Sequence, residues 1–308
     1  MTPPTPRYFD CFTTQPGGGN PVALLTGTSD LTQTQMQGLA REIGAPATCF
    51  WCVSDDDHVR ARFFSPRTEY KMCGHAVIGL FTLVSQECVE PLSPVWRLST
   101  PSGTTRVYVE SESEGSPRIM LDFALPRFSP LSPVSTGLAE VLKIPLELIS
   151  GGIPVQTAHA DFRHVMVNIT SPEALAGLVP SFDEIAGFCK ATGLDSIAVY
   201  AFEEAADGEH VWVREFCPLI GVEESAAGGT TNASLSCLLA QTGYLGVEED
   251  QIARCIAHQG AAVGRPSLIH CEVTKSGGTI TGVRAGGHAV EVQGLTAPDR
   301  VPSPDHRS

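Results

Sequence analysis

The chain has 308 residues, 42% of them hydrophobic and 18% charged, with a formal net charge of −14. Such a length suits two domains of about 150 residues each, and the composition excludes a disordered chain. The acidity excludes an electrostatic grip on nucleic acid or an anionic membrane, although backbone N–H groups can still hold a small anion. No run of apolar residues is long enough to span a bilayer, and Met1 to Asp10 carries no apolar signal region. Ten cysteines in such a chain point to free thiols in a reducing compartment, hence to the cytoplasm.

In chain order, Arg7 to Phe12 reads as a strand, followed by the turn Gln15 to Pro21 and a second strand over Val22 to Leu25. Apolar residues at Leu31, Met36, Leu39, Ala40 and Ile43 have the spacing of an amphipathic helix. Strands are expected over 48–53, 58–64, 96–99, 104–109 and 119–123. The pair Cys49 and Cys52 spells C-x-x-C but lies in the first of these, so buried thiols are favoured over redox chemistry. Pro126, Pro130 and Pro133 among serines mark a linker over 127–135, between an N-terminal lobe at 1–126 and a C-terminal lobe at 136–285. A final strand near 286–296 is expected to return to the first lobe. Helices are expected at Gly137 to Leu142, after Ser171-Pro172, and after Ser181, whose spacing to Glu184 is that of a capping box. Strands fall at 153–158, 164–169, 196–202 and 210–216.

A repeat organises these elements. Arg62-Phe63-Phe64-Ser65-Pro66 and Arg214-Glu215-Phe216-Cys217-Pro218 share the pattern R-x-F-x-P. Each ends a strand and is followed by glycine and an apolar helix, from His75 and from Thr231. A helix that opens on small residues presents unpaired N–H groups and the positive end of its dipole. Two such ends facing each other would form a pocket for a carboxylate, with Cys73-Gly74-His75-Ala76 on one side and Gly228-Gly229-Thr230-Thr231 on the other. Gly17-Gly18-Gly19 lacks the pattern of a nucleotide loop, and no histidine spacing supports a metal site.

At these residues the sequence resembles the phenazine biosynthesis PhzF-like family, within the diaminopimelate epimerase-like fold. Asp10-Cys11-Phe12-Thr13 with Gly19-Asn20-Pro21 is similar to its D-x-F-T…G-N-P opening. Phe64-Ser65-Pro66 with Glu69 and Cys73-Gly74-His75-Ala76 is similar to F-T-P…E…C-G-H-A. Residues Glu223 to Gly228 stand where the family has E-D-P-x-x-G, His258-Gln259-Gly260 with Gly264 to Ser267 resembles Q-G…G-R-P-S, and Gly286 to Val290 resembles G-G-x-A-V. The resemblance implies an α+β fold of two pseudo-symmetric lobes, each a curled, mainly antiparallel, barrel-like sheet around a central helix, with the active site in the cleft between them. It also implies a homodimer and a cofactor-independent isomerase that moves a proton between carbons of a small substrate.

The departure from the family is in the acid/base residue. Where the family has N-L-S-E-T-x-F, this chain has Gly44 to Phe50, and the glutamate position is Ala47. Ala47 is therefore expected to line the substrate site without carrying a proton. Two-thiol racemisation, as in the related epimerases, is not expected either, because the partner of Cys73 is Ala227.

His75, one residue into a helix start, is the candidate base, neutral because of the dipole. Glu224 is the candidate general acid in the place of the family's aspartate, or a solvated loop charge. Cys73 is either a thiolate activated by the helix end or a buried structural thiol. Asn20 either bonds substrate or forms the Asn-Pro turn, and Gly74, Gly228, Gly229 and Thr230 are anion-binding candidates or plain turn formers. Three functions are consistent with this set: a proton-shifting isomerase, a repurposed cyclase, pericyclase or dehydratase of specialised metabolism, and a non-catalytic small-molecule binding protein.

Overall fold

The computed structural model describes residues 5–55, 57–87, 93–112, 115–131, 135–149, 152–202, 210–246 and 251–293. Residues divide by proximity into two compact units, Met1–Leu121 with Gly286–Ser308, and Asp122–Ala285.

In the first unit, strands β1 (Arg7–Cys11) and β2 (Asn20–Leu25) form an antiparallel hairpin. Its turn is braced by Asp10, whose Oδ2 accepts the Gly17 N–H at 2.7 Å. Gly19 has φ +57° and lies so close to Cys11 O that a Cβ would collide with it. Gly19→Ala therefore combines left-handed strain with a backbone clash, and we expect a loss of about 1–3 kcal/mol in urea unfolding. A stability within error of the parent would show that the hairpin can reopen around a methyl group.

Helix α1 (Gln33–Ile43) starts at a capping box between Thr32 and Gln35 and stops at Gly44, φ 71°. Met36, Ala40 and Ile43 pack with Ala23, Leu25, Phe50 and Phe64. Strands β3 (Ala47–Asp55) and β4 (His58–Phe64) pair antiparallel, with β3 parallel to β2, and the short β5 (Glu69–Tyr70) folds back on the end of β4. Helix α2 (Gly74–Glu87) is buried all round from Ala76 to Val84 and packs on β1, β2 and β3, so its lack of a polar face is what a central helix requires. Strands β6 (Val95–Thr100), β7 (Gly103–Glu110) and β8 (Arg118–Asp122) complete the run, β6 parallel to β4 and the rest antiparallel.

The expected linker is half strand. Arg127–Pro130 forms β9, paired antiparallel with β10 (Gln156–His159), while 132–134 lie outside the described residues. Pro126 precedes β9 and Pro130 ends it, so the prolines remove few of its ladder bonds; composition alone read them as a break. Helix α3 (Ser135–Leu142) precedes β10, which pairs antiparallel with β11 (Arg163–Asn168). Helices α4 (Pro172–Ala176) and α5 (Phe182–Thr192) then carry the chain to β12 (Ser196–Ala201), parallel to β11. Ser171 caps α4 through its side chain, whereas Ser181 caps α5 with no side-chain bond, so the expected capping box does not form there.

Strand β13 (His210–Cys217) pairs antiparallel with β12, and the short β14 (Val222–Ser225) folds back on its end. Helix α6 (Gly229–Gln241) is buried from Thr231 to Leu239. It leads to β15 (Ile252–Gln259), parallel to β13, followed by β16 (Ser267–Ser276), antiparallel to β15, and then by β17 (Thr279–Gly287) beside β16. The last strand, β18 (Ala289–Val292), pairs with β1 as β9 pairs with β10. The succession of pairings in the first unit thus recurs in the second. The core of the second unit is built on Leu138, Val165, Val167, Ile185, Ile197 and Phe216.

Candidate active site

Repeated Arg and Phe positions have a structural reason. Two residues apart on one strand face, the Arg62 guanidinium lies 5.4 Å from the Phe64 ring centre, and Arg214 lies 5.1 Å from that of Phe216. Arg62 binds Glu69 through two hydrogen bonds of 2.7 and 2.8 Å, and Arg214 binds Glu224 through two of 2.9 and 2.8 Å. Glu224 is therefore neither a solvated loop charge nor a free acid: it holds Arg214 as Glu69 holds Arg62.

This pairing resets the alignment of the two halves. The N–H of Val77 donates to Cys73 O, and that of Asn232 donates to Gly228 O, at 3.1 and 3.0 Å. Cys73 corresponds to Gly228, Gly74 to Gly229, His75 to Thr230 and Ala76 to Thr231, the register of the two matched segments and one residue later than the E-D-P-x-x-G alignment that set Ala227 opposite Cys73. Read from Glu224, the family's E-D-P-x-x-G ends on Gly229 and its aspartate position falls on Ser225.

At the start of α2 the structure brings Cys73, Gly74 and His75 together. Cys73 Sγ lies 3.5 Å from His75 Nδ1 and 3.8 Å from Nε2. Burial pushes the thiol up to about 12 and the imidazole down to about 4, so the pair rests as thiol and neutral imidazole. The expected neutral histidine is present, with desolvation as its main cause rather than the helix dipole. Of the two readings of Cys73, these values favour the structural thiol. Ala47 is fully buried as the first residue of β3, opposite Val22 of β2. Asn20 opens β2 opposite Cys11 and is half-buried.

At the start of α6, Gly228, Gly229 and Thr230 are half-buried. The Gly228 N–H is already engaged, donating to Gln259 Oε1 at 3.3 Å, and Asn232 Nδ2 donates to the same oxygen at 2.7 Å. Gln259 Nε2 in turn donates to Ser225 O at 2.9 Å, so the Q-G motif braces this helix start.

The sequence assigned no role to the members of a further polar cluster behind that turn. Thr231 Oγ1 donates to Glu215 Oε1 at 2.5 Å, Ser196 Oγ donates to the same oxygen at 3.2 Å, and Ser196 Oγ lies 2.6 Å from His164 Nδ1. All four residues are buried. Burial also holds the His164 imidazole below its ordinary range, against the opposing pull of Glu215. A separate cavity of about 350 Å³, lined by Phe128, Cys237, Gln241 and Lys275, lies at the opposite, C-terminal turn of α6, away from every candidate residue. Among the described residues no group of three metal-binding side chains occurs, and no helix is long and apolar enough to cross a membrane.

A mixed sheet with few helices, two of them buried nearly throughout, makes this a mixed α/β protein. The family model described as phenazine biosynthesis-like protein (PhzC-PhzF) matches residues 9–294, and the chain belongs to that family. An uncharacterized isomerase of Deinococcus radiodurans is 30% identical over 96% of both chains. A trans-2,3-dihydro-3-hydroxyanthranilate isomerase of Pseudomonas fluorescens is 28% identical over 92% of this chain and 95% of its own. Among solved structures, a PhzF-family phenazine biosynthesis protein of Bacillus anthracis superposes with a TM-score of 0.84 at 21% identity, covering 95% of this chain and 98% of that one.

Proposed function

We propose that the protein is a cofactor-independent isomerase-type enzyme in which His75 is the base. Its substrate is a small metabolite bearing a carboxylate or carbonyl group. The observation that carries this reading is the place of His75, half-buried at the first turn of α2 with Cys73 Sγ 3.5 Å from Nδ1, where burial holds the imidazole down to about 4. A neutral base at that turn can take a proton from carbon while the positive end of the α2 dipole favours the negative charge that develops. Membership of a family whose named relatives include isomerases supports the reaction class.

The test is NMR of trans-2,3-dihydro-3-hydroxyanthranilate with the protein in D₂O, the compound chosen from the name of the Pseudomonas fluorescens relative. The expected result is enzyme-dependent loss of a carbon-bound proton signal as deuterium enters the ring. Unchanged spectra at high enzyme concentration would end this reading.

A second reading has its own observation: Ala47 supplies no proton carrier, and Arg214 occupies Glu224. On that reading the site orients a reactive polyene or enone for cyclisation in specialised metabolism, with proximity and hydrogen bonds supplying the rate. Product formation without deuterium uptake would favour it.

A further inference from the structure

The two halves can be compared position by position across their strand registers. Phe63 lies opposite Cys49 on β3, as Glu215 lies opposite Ala198 on β12. Stepping along those strands, Ala47 corresponds to Ser196, and the residues paired with them on the neighbouring parallel strands are Val22 and His164. The helix starts add Ala76 and Thr231. In the first unit these four places hold Val22, Ala47, Phe63 and Ala76, all fully buried. In the second unit they hold His164, Ser196, Glu215 and Thr231. The fold therefore accepts an apolar set here, and the second unit instead buries two ionisable groups, which is costly unless they are paired or used.

The cluster is not fully satisfied. With Ser196 donating its one proton to Glu215 Oε1, the Ser196 oxygen accepts from His164 Nδ1–H, and Nε2 becomes a bare acceptor. That nitrogen is buried without a hydrogen-bond partner, in a side chain only 2% exposed. At Glu215 both donors go to Oε1, while Oε2 lies against Gly228, where a Cβ would collide with it. Glycine at 228 lets that carboxylate oxygen come right up to a half-buried turn, in a side chain 7% exposed.

Resting on the isomerase reading, we infer that Glu215 is the acid/base carboxylate of this enzyme, held by Thr231, Ser196 and His164 at the place where the other half has Ala47 and Phe63. The proton that His75 takes from one carbon leaves to solvent, and the electron pair of that C–H bond moves into the conjugated system as an enol or dienamine. Glu215, as the carboxylic acid, gives the proton on Oε2 to a different carbon, where that electron pair forms the new C–H bond, and the carboxylate regains a proton from solvent, so the enzyme ends as it began. Thr231 and Ser196 keep Oε1 bonded throughout, and the start of α6 favours the carboxylate left by the transfer.

The experiment compares wild type, Glu215→Gln and Glu215→Asp on the same dihydro acid in D₂O, with thermal melting of each as the fold control. The expected result is a fall of about 100-fold or more in deuterium incorporation for Glu215→Gln, with part of the rate kept by Glu215→Asp. If Glu215→Gln does not fold, Ser196→Ala decides, since alanine already packs at the corresponding position 47. A loss of about tenfold in kcat with KM unchanged supports the inference, and a wild-type kcat overturns it. A folded Glu215→Gln within threefold of wild type overturns this inference alone. A wild type that exchanges no proton overturns the isomerase reading and this inference with it.

Discussion

Replacing Arg214 by methionine lowers the free energy of unfolding by about 3–5 kcal/mol, the range for breaking a buried ion pair from one side. Arg214 and Glu224 side chains are only 9% and 5% exposed. Besides its two bonds to Glu224, Arg214 donates through Nη1 to Leu175 O at 3.2 Å and Leu178 O at 2.8 Å, tying β13 to the end of α4. Methionine fills much of the volume but leaves a buried carboxylate and the Leu178 carbonyl without their Arg214 donor, while Leu175 O keeps the Leu178 N–H. Lysine would not repair this, because a single ammonium cannot reproduce the planar fork. The corresponding Arg62→Met is expected to lose only about 1 kcal/mol, because Arg62 and Glu69 side chains are 34% and 17% exposed. Urea unfolding of the two variants checks the contrast, and equal losses would show that burial is not what separates the two pairs.

His75→Gln is expected to reduce kcat/KM by about 10²–10⁴-fold, the usual contribution of a positioned general base. The pH behaviour makes the test specific. With the folded imidazole held at about 4 against an ordinary value of 6.5, His75 stays neutral at pH 5 and above. The wild-type rate should accordingly show no histidine limb near pH 6.5. Stability carries the opposite signature. Between pH 6.5 and 4 the unfolded chain binds a proton at residue 75 that the folded one refuses, so stability is full above 6.5 and falls as pH drops towards 4. His75→Gln removes that portion of the fall. His164 is shifted in the same direction, so the comparison must be made between variant and wild type rather than on the wild type alone. A wild-type rate limb near pH 6.5 that His75→Gln abolishes would mean that the imidazole is not held neutral.

These two expectations change what the repeat means. From the sequence, R-x-F-x-P looked like a marker of duplication with chemistry in the glycines that follow. In the structure its arginine and phenylalanine build an Arg–Glu–Phe clamp in each half, and Glu224 belongs to that clamp. The residue between them, Phe63 in one half and Glu215 in the other, points to the opposite face of its strand, as alternation demands. That variable position is where the halves diverge chemically.

Much of the scaffold was legible from residue pattern alone. Apolar periodicity located α1, and the repeated order of strand, turn, glycine and apolar helix located α2 and α6. The glycine motifs marked turns such as Gly19, where the backbone tolerates no Cβ. The helix-start candidates Cys73, Gly74 and His75 do come together, because they are neighbours in the chain and local structure suffices to place them. The capping box at Ser181 and the linker over 127–135 were misjudged because spacing and composition do not reveal whether a hydroxyl turns inward or a short segment finds a strand to pair with.

The sequence by itself determined the repeat and the helix starts. Only the tertiary structure decided which carboxylate is bound, by how much the two halves are offset, and that His164, Ser196, Glu215 and Thr231 meet. His164 and Thr231 are 67 residues apart, and the members of that cluster come from three strands and a helix. Their meeting depends on the registers of β11 with β12 and β12 with β13. A slip of one residue in either would turn the side chains to the other face, and register is fixed by burial of whole sheet faces rather than by any local motif.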